Sequence, residues 1–240
     1  PGSAKARLCR SGREALLRYC AARDLPVGAC GKVIVATHDR ERAGLEALAR
    51  RSGANGLAVR RLDRRELADV EPHVRGVAAL HVPDTAVVDF PAVAAALAAD
   101  VRAAGGELLL GRAVRAVHDP GRGPVRVETA AGDLTADVVV ACAGLHSDRV
   151  ARAAGAVPVD ADGRPRPGDP LPRILPFRGE YHELVPARRH LVRALVYPVP
   201  DPRLPFLGVH LTRDVHGGVH AGPNAVPALA REGYSWRAVA

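Results

Sequence analysis

Leu8, Cys9, Leu16, Leu17, Tyr19 and Cys20 recur at helical spacing, and Asp24 to Gly28, with Pro26, ends the helix they predict. A short β-branched run, Val33 to Ala36, follows between Gly31 and the polar stretch THDRER, and predicts a strand before a second helix that reaches Arg51. Asp89-Phe90-Pro91 opens a third helix, because Asp can cap, Pro is tolerated in the first turn, and Gly105-Gly106 stops the pattern after Ala104. The helix is Ala-rich and slim, a shape suited to close packing on a sheet.

From Glu107 the period shortens to that of strands: Leu108 to Leu110, Ala113 to Val117, Val125 to Thr129 and Val138 to Cys142, separated by the turns DPGRG and AAGD. DVVVACAG, ending at Gly144, is apolar on both faces, as a buried parallel strand is. A helix, a meander and an apolar strand in this order predict an α/β nucleotide-binding half. A Pro- and Asp-rich linker follows from Gly155 to Pro172, and the remainder is β-rich.

The chain has 240 residues, 48% of them hydrophobic, enough for one large or two small domains with a sizeable core. Its net charge of +8 raises nucleic acid or a membrane surface as partners. The arginines are scattered rather than blocked, and three Phe and one Trp make no base-stacking platform, so neither partner is expected. Cys9, Cys20, Cys30 and Cys142 show no C-x-x-C spacing and are read as core residues in a reducing compartment, cytoplasmic or peripheral at an inner membrane. No apolar run approaches the roughly 20 residues of a membrane span.

Candidate chemistry concentrates between Pro176 and Asn224. Arg178-Gly179 offers a planar fork for a carboxylate, with Glu180 near enough to neutralise it. With a hairpin turn centred at Val215, strands Gly208 to Thr212 and Gly218 to Gly222 pair, and His210 stands opposite His220 as a candidate base. Arg213 then points to the other face unless Gly217-Gly218 bulges, and Gly222-Pro223-Asn224 ends the second strand with an Asn that can meet a ligand. His216 is a solvent-facing turn residue. A metal on His210, His216 and His220 is not expected, since no carboxylate or Cys lies at ligand spacing. Pro198-Val199-Pro200-Asp201-Pro202 reads as a stiff connector.

PGSAKARLC at the start, CGKVIVAT at Cys30 to Thr37, EPHVRGVAALHVPDTAVVDF at Glu71 to Phe90, CAGLHSDRVA at Cys142 to Ala151 and the whole of Pro176 to Asn224 resemble the FAD-dependent L-2-hydroxyglutarate oxidases and dehydrogenases of the glycine and sarcosine oxidase superfamily. The resemblance implies a partial FAD-binding Rossmann-like domain of glutathione-reductase type, residues 1–31 and 87–156. It implies that this is interleaved with a mixed, largely antiparallel sheet domain for substrate, residues 32–86 and 157–240. It further implies backbone contacts to FAD at Val114, Ala143 and Gly144, and a pocket-lining side chain seven residues before the hairpin Gly217, at His210. Substrate carboxylates fall to Arg178, Arg213 and Asn224, and oxygen or a quinone chain takes the electrons.

The family opens with a strand, G-x-G-x-x-G and a helix that cradle the FAD pyrophosphate, and none of these is in the sequence. Gly121-Arg122-Gly123 has no third Gly and lies between two strand patterns, so it reads as a hairpin turn. With no Met in the chain and an internal-looking start, the expectation is an internal fragment, which alone holds FAD weakly or is a folded remnant. The other enzymatic reading is an amine or amino-acid oxidase of the same superfamily.

Overall fold

The computed structural model describes residues 1–158, 166, 168, 170–235, 237 and 238. Much of the expected linker to Pro172 therefore lies outside the described residues. Two compact units emerge, residues 1–105 with 179–225, and residues 106–178 with 226–240. Residues 1–31 fall in the first of these, where the Gly31 amide donates to the Thr85 carbonyl and the Leu195 amide of the large sheet donates to the Gly31 carbonyl.

In the first unit, α1 (Ala4–Ala21) starts at Ser3, whose hydroxyl accepts the Ala6 amide, and it precedes the two-residue strand β1 (Val27–Gly28). The strand β2 (Lys32–Ala36) and the helix α2 (Arg42–Ala54) appear as predicted. Then come β3 (Arg60–Leu62), α3 (Arg64–Val70) behind a capping box of Asp63 and Glu66, β4 (Ala78–Val82) and β5 (Val87–Val88). The third predicted helix is α4 (Phe90–Ala103), and Asp89 caps it by accepting the Ala92 amide at 3.0 Å. Only Val93 of α4 is buried, while Phe90 and Leu97 are exposed, so its apolar face does not pack on a sheet among the described residues.

The second unit holds β6 (Val114–His118), β7 (Val125–Thr129), β8 (Leu134–Ala136) and α5 (Ser147–Ala153). The strands form a meander in chain order, and Gly121 to Gly123 is the turn between the first two, as expected. Leu108 to Leu110 and Val138 to Cys142 are not strands. A strand buried on both faces needs ladder partners on each side, and neither run has one among the described residues; Val138 and Val140 are 76% and 78% exposed.

The remaining strands are β9 (Phe177–Glu183), β10 (Leu195–Pro198), β11 (His210–Arg213) and β12 (Val219–Pro227). They join the first ones in a seven-stranded sheet ordered β3-β4-β2-β10-β11-β12-β9, with only β2 and β10 parallel among the registered pairs. Side chains alternate across such a sheet, so its two faces have different fates. One buries Val33, Val35, Leu62 and Ala79 against Leu67 of α3. The other buries Ala36 and Leu80 against Leu45 and Ala49 of α2, which covers one end of that face.

Of the cysteines only Cys20 is buried, while Cys9 and Cys142 are exposed, so the expectation of four core thiols is corrected. Helical spacing placed Cys9 on the apolar stripe of α1, but that end of the helix is not covered among the described residues: Leu8 is 69% exposed. No helix of the described residues is long and apolar enough to cross a membrane.

Candidate active site

Parallel pairing sets Tyr197 of β10 beside Ile34 and Leu195 beside Lys32, and antiparallel pairing sets Val196 against Leu211 and Thr212 against His220. Lys32, Tyr197, His210, Thr212 and His220 therefore share the face whose other end α2 covers. The His210 ring stacks on Tyr197, with centroids 4.1 Å apart and planes within 13° of parallel. Its Nδ1 lies 3.0 Å from the Gly208 carbonyl oxygen. A carbonyl only accepts, so Nδ1 carries the proton of this contact, and in that tautomer the lone pair is on Nε2.

His220 does not stand opposite His210 as predicted. The turn centres on His216 rather than Val215, with Arg213 facing Val219, and this moves every partner by two residues; His210 faces Gly222 and His220 faces Thr212. The cause is Asp214, whose backbone amide donates to the Gly218 carbonyl and whose carboxylate accepts the amides of His216 (2.7 Å) and Gly218 (3.0 Å). The same carboxylate meets His220 Nε2 at 3.0 Å. A Cβ at Gly218 would overlap it, which is why a glycine is needed there. Burial alone would raise the Asp214 carboxyl, yet the bonds from His220, Gly218 and His216 hold it below the ordinary range. A carboxylate thus stands beside His220 after all, but as a hydrogen-bond partner; among the described residues no group of three His, Cys, Asp or Glu is arranged to hold a metal ion. His216 is exposed, as expected, and its Nε2 reaches the Asp89 carboxylate at 3.1 Å.

Arg213 lies on the opposite face of the sheet, the one on which α3 packs, and its Nη1 donates to the carbonyls of Val192 and Arg189. It points away from His210, and its Nη1 is engaged by main chain. On the same side Glu71 is wholly buried and accepts the amides of Arg193 (2.9 Å) and Ala194. Burial pushes its carboxyl up, against the pull of those amides and of the Arg193 and Arg213 charges. Carbonyls and amides of residues 189–194 are held by a cation and a carboxyl respectively, and this sets the start of β10 and hence Tyr197. Sequence reading missed Glu71 because a charged residue after a helix is ordinarily solvated. Asn224 is exposed on β12.

The other unit carries the residues expected to meet FAD. Val114 begins the edge strand β6, 43% exposed, where a bulge shifts the register between Val114 and Ala116. The Ala143 carbonyl accepts the His146 amide, and Gly144 adopts a φ of 51°, the left-handed region where a side chain costs strain. A Cβ added at Gly144 would meet nothing within 4 Å, so the backbone there is open to close approach by a flat ligand. Arg178 donates to the Gly233 carbonyl at 3.2 Å.

Just beyond Gly144, Asp148 is buried and accepts both terminal nitrogens of Arg231, the second at 2.6 Å, with Arg152 at 3.2 Å and the Ile174 amide at 3.1 Å. The Arg231 bonds first, then the Ile174 amide and Arg152, hold its carboxyl far below the ordinary range despite burial. A depressed folded value stabilises above the ordinary carboxylate range, and that stability is lost as pH falls through the folded value. Asp148→Asn should lower the melting temperature at neutral pH, and the gap from the parent should narrow steadily in acid. A gap independent of pH would show that the charge is irrelevant.

The family model for FAD dependent oxidoreductases matches residues 1–239. The chain is 41% identical over 98% of its length to the L-2-hydroxyglutarate dehydrogenase of Indibacter alkaliphilus, of which it covers 56%. It is 38% identical over 99% of its length to that of Escherichia coli K12, covering 53%. The mitochondrial L-2-hydroxyglutarate dehydrogenase of Caenorhabditis elegans is 40% identical over 98% of the chain, again with 53% covered. The chain spans about half the length of the curated relatives it matches. In fold it is similar to the L-alpha-glycerophosphate oxidase of Mycoplasma pneumoniae, with a TM-score of 0.75 over 89% of the chain at 21% identity, and 54% of that protein is covered.

Proposed function

The chain belongs to the FAD dependent oxidoreductase family, and on that premise we propose that the protein oxidises L-2-hydroxyglutarate to 2-oxoglutarate. The observation that carries this reading is the likeness, near 40% identity across the whole chain, to proteins named L-2-hydroxyglutarate dehydrogenase. FAD, when bound, supplies the acceptor for the hydride that leaves the substrate α-carbon. Gly144, Ala143 and Val114 would hold it through backbone, which is consistent with the open space at Gly144.

His210 takes the hydroxyl proton at Nε2. Its Nδ1 proton is fixed by the Gly208 carbonyl and its ring plane by Tyr197, so the lone pair is aimed before substrate arrives. His220 serves behind it, its proton on the nitrogen facing Asp214. A dianionic substrate stripped of water needs cationic or amide partners, for which Arg178 and Asn224 are proposed. Oxygen and a membrane quinone both fit as final acceptors, and mixing the reduced protein with each separates them.

The test is anaerobic mixing of FAD-loaded protein with L-2-hydroxyglutarate. The flavin absorption should bleach with formation of an equivalent of 2-oxoglutarate, while the D-enantiomer, glycine and sarcosine leave it oxidised. Bleaching by an amine and not by the hydroxy acid would overturn the reading in favour of an amine oxidase.

A further inference from the structure

Only two of the chain's 34 Lys and Arg residues are lysines, Lys5 and Lys32, and Lys32 lies within the seven-stranded sheet on the face that bears His210. It is half-buried, and burial lowers its ammonium below the ordinary lysine range. Cations so placed are ordinarily paired. The carboxylates that form ion pairs in both units, such as Asp100, Glu46, Asp148 and Asp214, are matched with Arg or His rather than with Lys32. What Lys32 does meet is the Tyr197 ring, 5.4 Å from Nζ to the centroid, which compensates weakly for lost water.

The same ring is the one on which His210 stacks. β2 and β11 are separated by β10 alone, a spacing of roughly 10 Å given roughly 4.8 Å between neighbouring strands. Lys32 reaches back toward Tyr197, so one aromatic side chain carries both groups: the His210 ring centroid lies 4.1 Å and the Lys32 Nζ 5.4 Å from its ring centroid. A compact ammonium on a flexible stem meets a terminal carboxylate as a point charge.

Resting on the reaction proposed above, we propose that Lys32 anchors the distal carboxylate of the dicarboxylate substrate while His210 addresses its hydroxyl end. The ammonium then acquires the partner that the fold withholds, and selectivity for a diacid over a simple hydroxy acid follows from that one contact. Charge-assisted bonds of this type are worth about tenfold to a hundredfold in affinity.

The test uses the FAD-loaded protein and glutarate, a diacid with no hydroxyl to oxidise, in titration calorimetry. Lys32→Met keeps the apolar stem and should weaken glutarate binding by about tenfold or more, with FAD content unchanged and a melting temperature equal to or above the parent's, since the cost of burying the ammonium is gone. Lys32→Gln should weaken it likewise and stands in if the Met variant does not fold. Parental affinity in either folded variant, or no binding of glutarate by the parent, overturns the anchor. Glutarate binding that follows Lys32 in a protein whose flavin L-2-hydroxyglutarate cannot bleach would uphold the anchor and reject the reaction. Bleaching with glutarate binding indifferent to Lys32 would do the reverse.

Discussion

His210→Asn should lower the limiting rate of flavin reduction by L-2-hydroxyglutarate by about 10² to 10⁴, the usual contribution of a positioned general base. Asn is polar and its amide can still bond to the Gly208 carbonyl, which lies 3.0 Å from the imidazole Nδ1 in the parent, but it cannot accept a proton near neutral pH. Because the change leaves Val114, Ala143 and Gly144 untouched, FAD content should match the parent's. Anaerobic stopped-flow reduction over a range of substrate concentrations makes the measurement: a fall in the limiting rate reports the proton acceptor, and a rise in half-saturation alone reports binding. A parental limiting rate would remove His210 from the chemistry and pass the role to His220, whose pairing with Asp214 then becomes the feature to alter.

Glu71→Ala should destabilise the protein by about 3 kcal/mol, a large part of the roughly 5–15 kcal/mol that keeps a domain folded. Two amides, those of Arg193 and Ala194, lose their acceptor in a place from which water is excluded, and the start of β10 loses its support. Glu71→Gln retains an acceptor oxygen for both amides and should cost far less. The two variants also differ from the parent in pH response. Since burial raises the folded-state carboxyl, folding favours its protonated form; that contribution is fully present below the unfolded value and is lost as pH rises through the folded one. Urea midpoints taken at a series of pH values should fall across that window for the parent and stay flatter for Glu71→Gln. An Ala variant with the parental midpoint would mean that residues 189–194 hold their shape without the carboxyl.

The elements written in local chemistry were legible. The cap at Asp89, the apolar spacing of α1, the β-branched run of β2 and the strand at Val125 to Thr129 each depend on near neighbours in the chain, and each is found where its signals lie. Val138 to Cys142 misled for the opposite reason: a doubly apolar run becomes a strand only when other strands flank it, and among the described residues none does. The hairpin was legible as a hairpin but not in its register. A one-residue error in the turn centre arose because Asp214 folds its carboxylate over the turn, and local patterning does not weigh that bond.

What the sequence determined by itself was the family, through motifs spread along the whole chain, the candidacy of His210, and the alternation that sends Arg213 away from it. What only the tertiary structure decided is which charges remain available for chemistry. Arg213 donates to the carbonyls of Val192 and Arg189, Glu71 takes the amides next to them, and His220 is matched with Asp214 six residues away, whereas Lys32 and the Nε2 of His210 are brought to one aromatic ring with no partner among the described residues. The physical reason is that a charge's role depends on whether folding supplies a counter-charge or hydrogen bond in exchange for lost water, and that exchange is settled by strands distant in sequence.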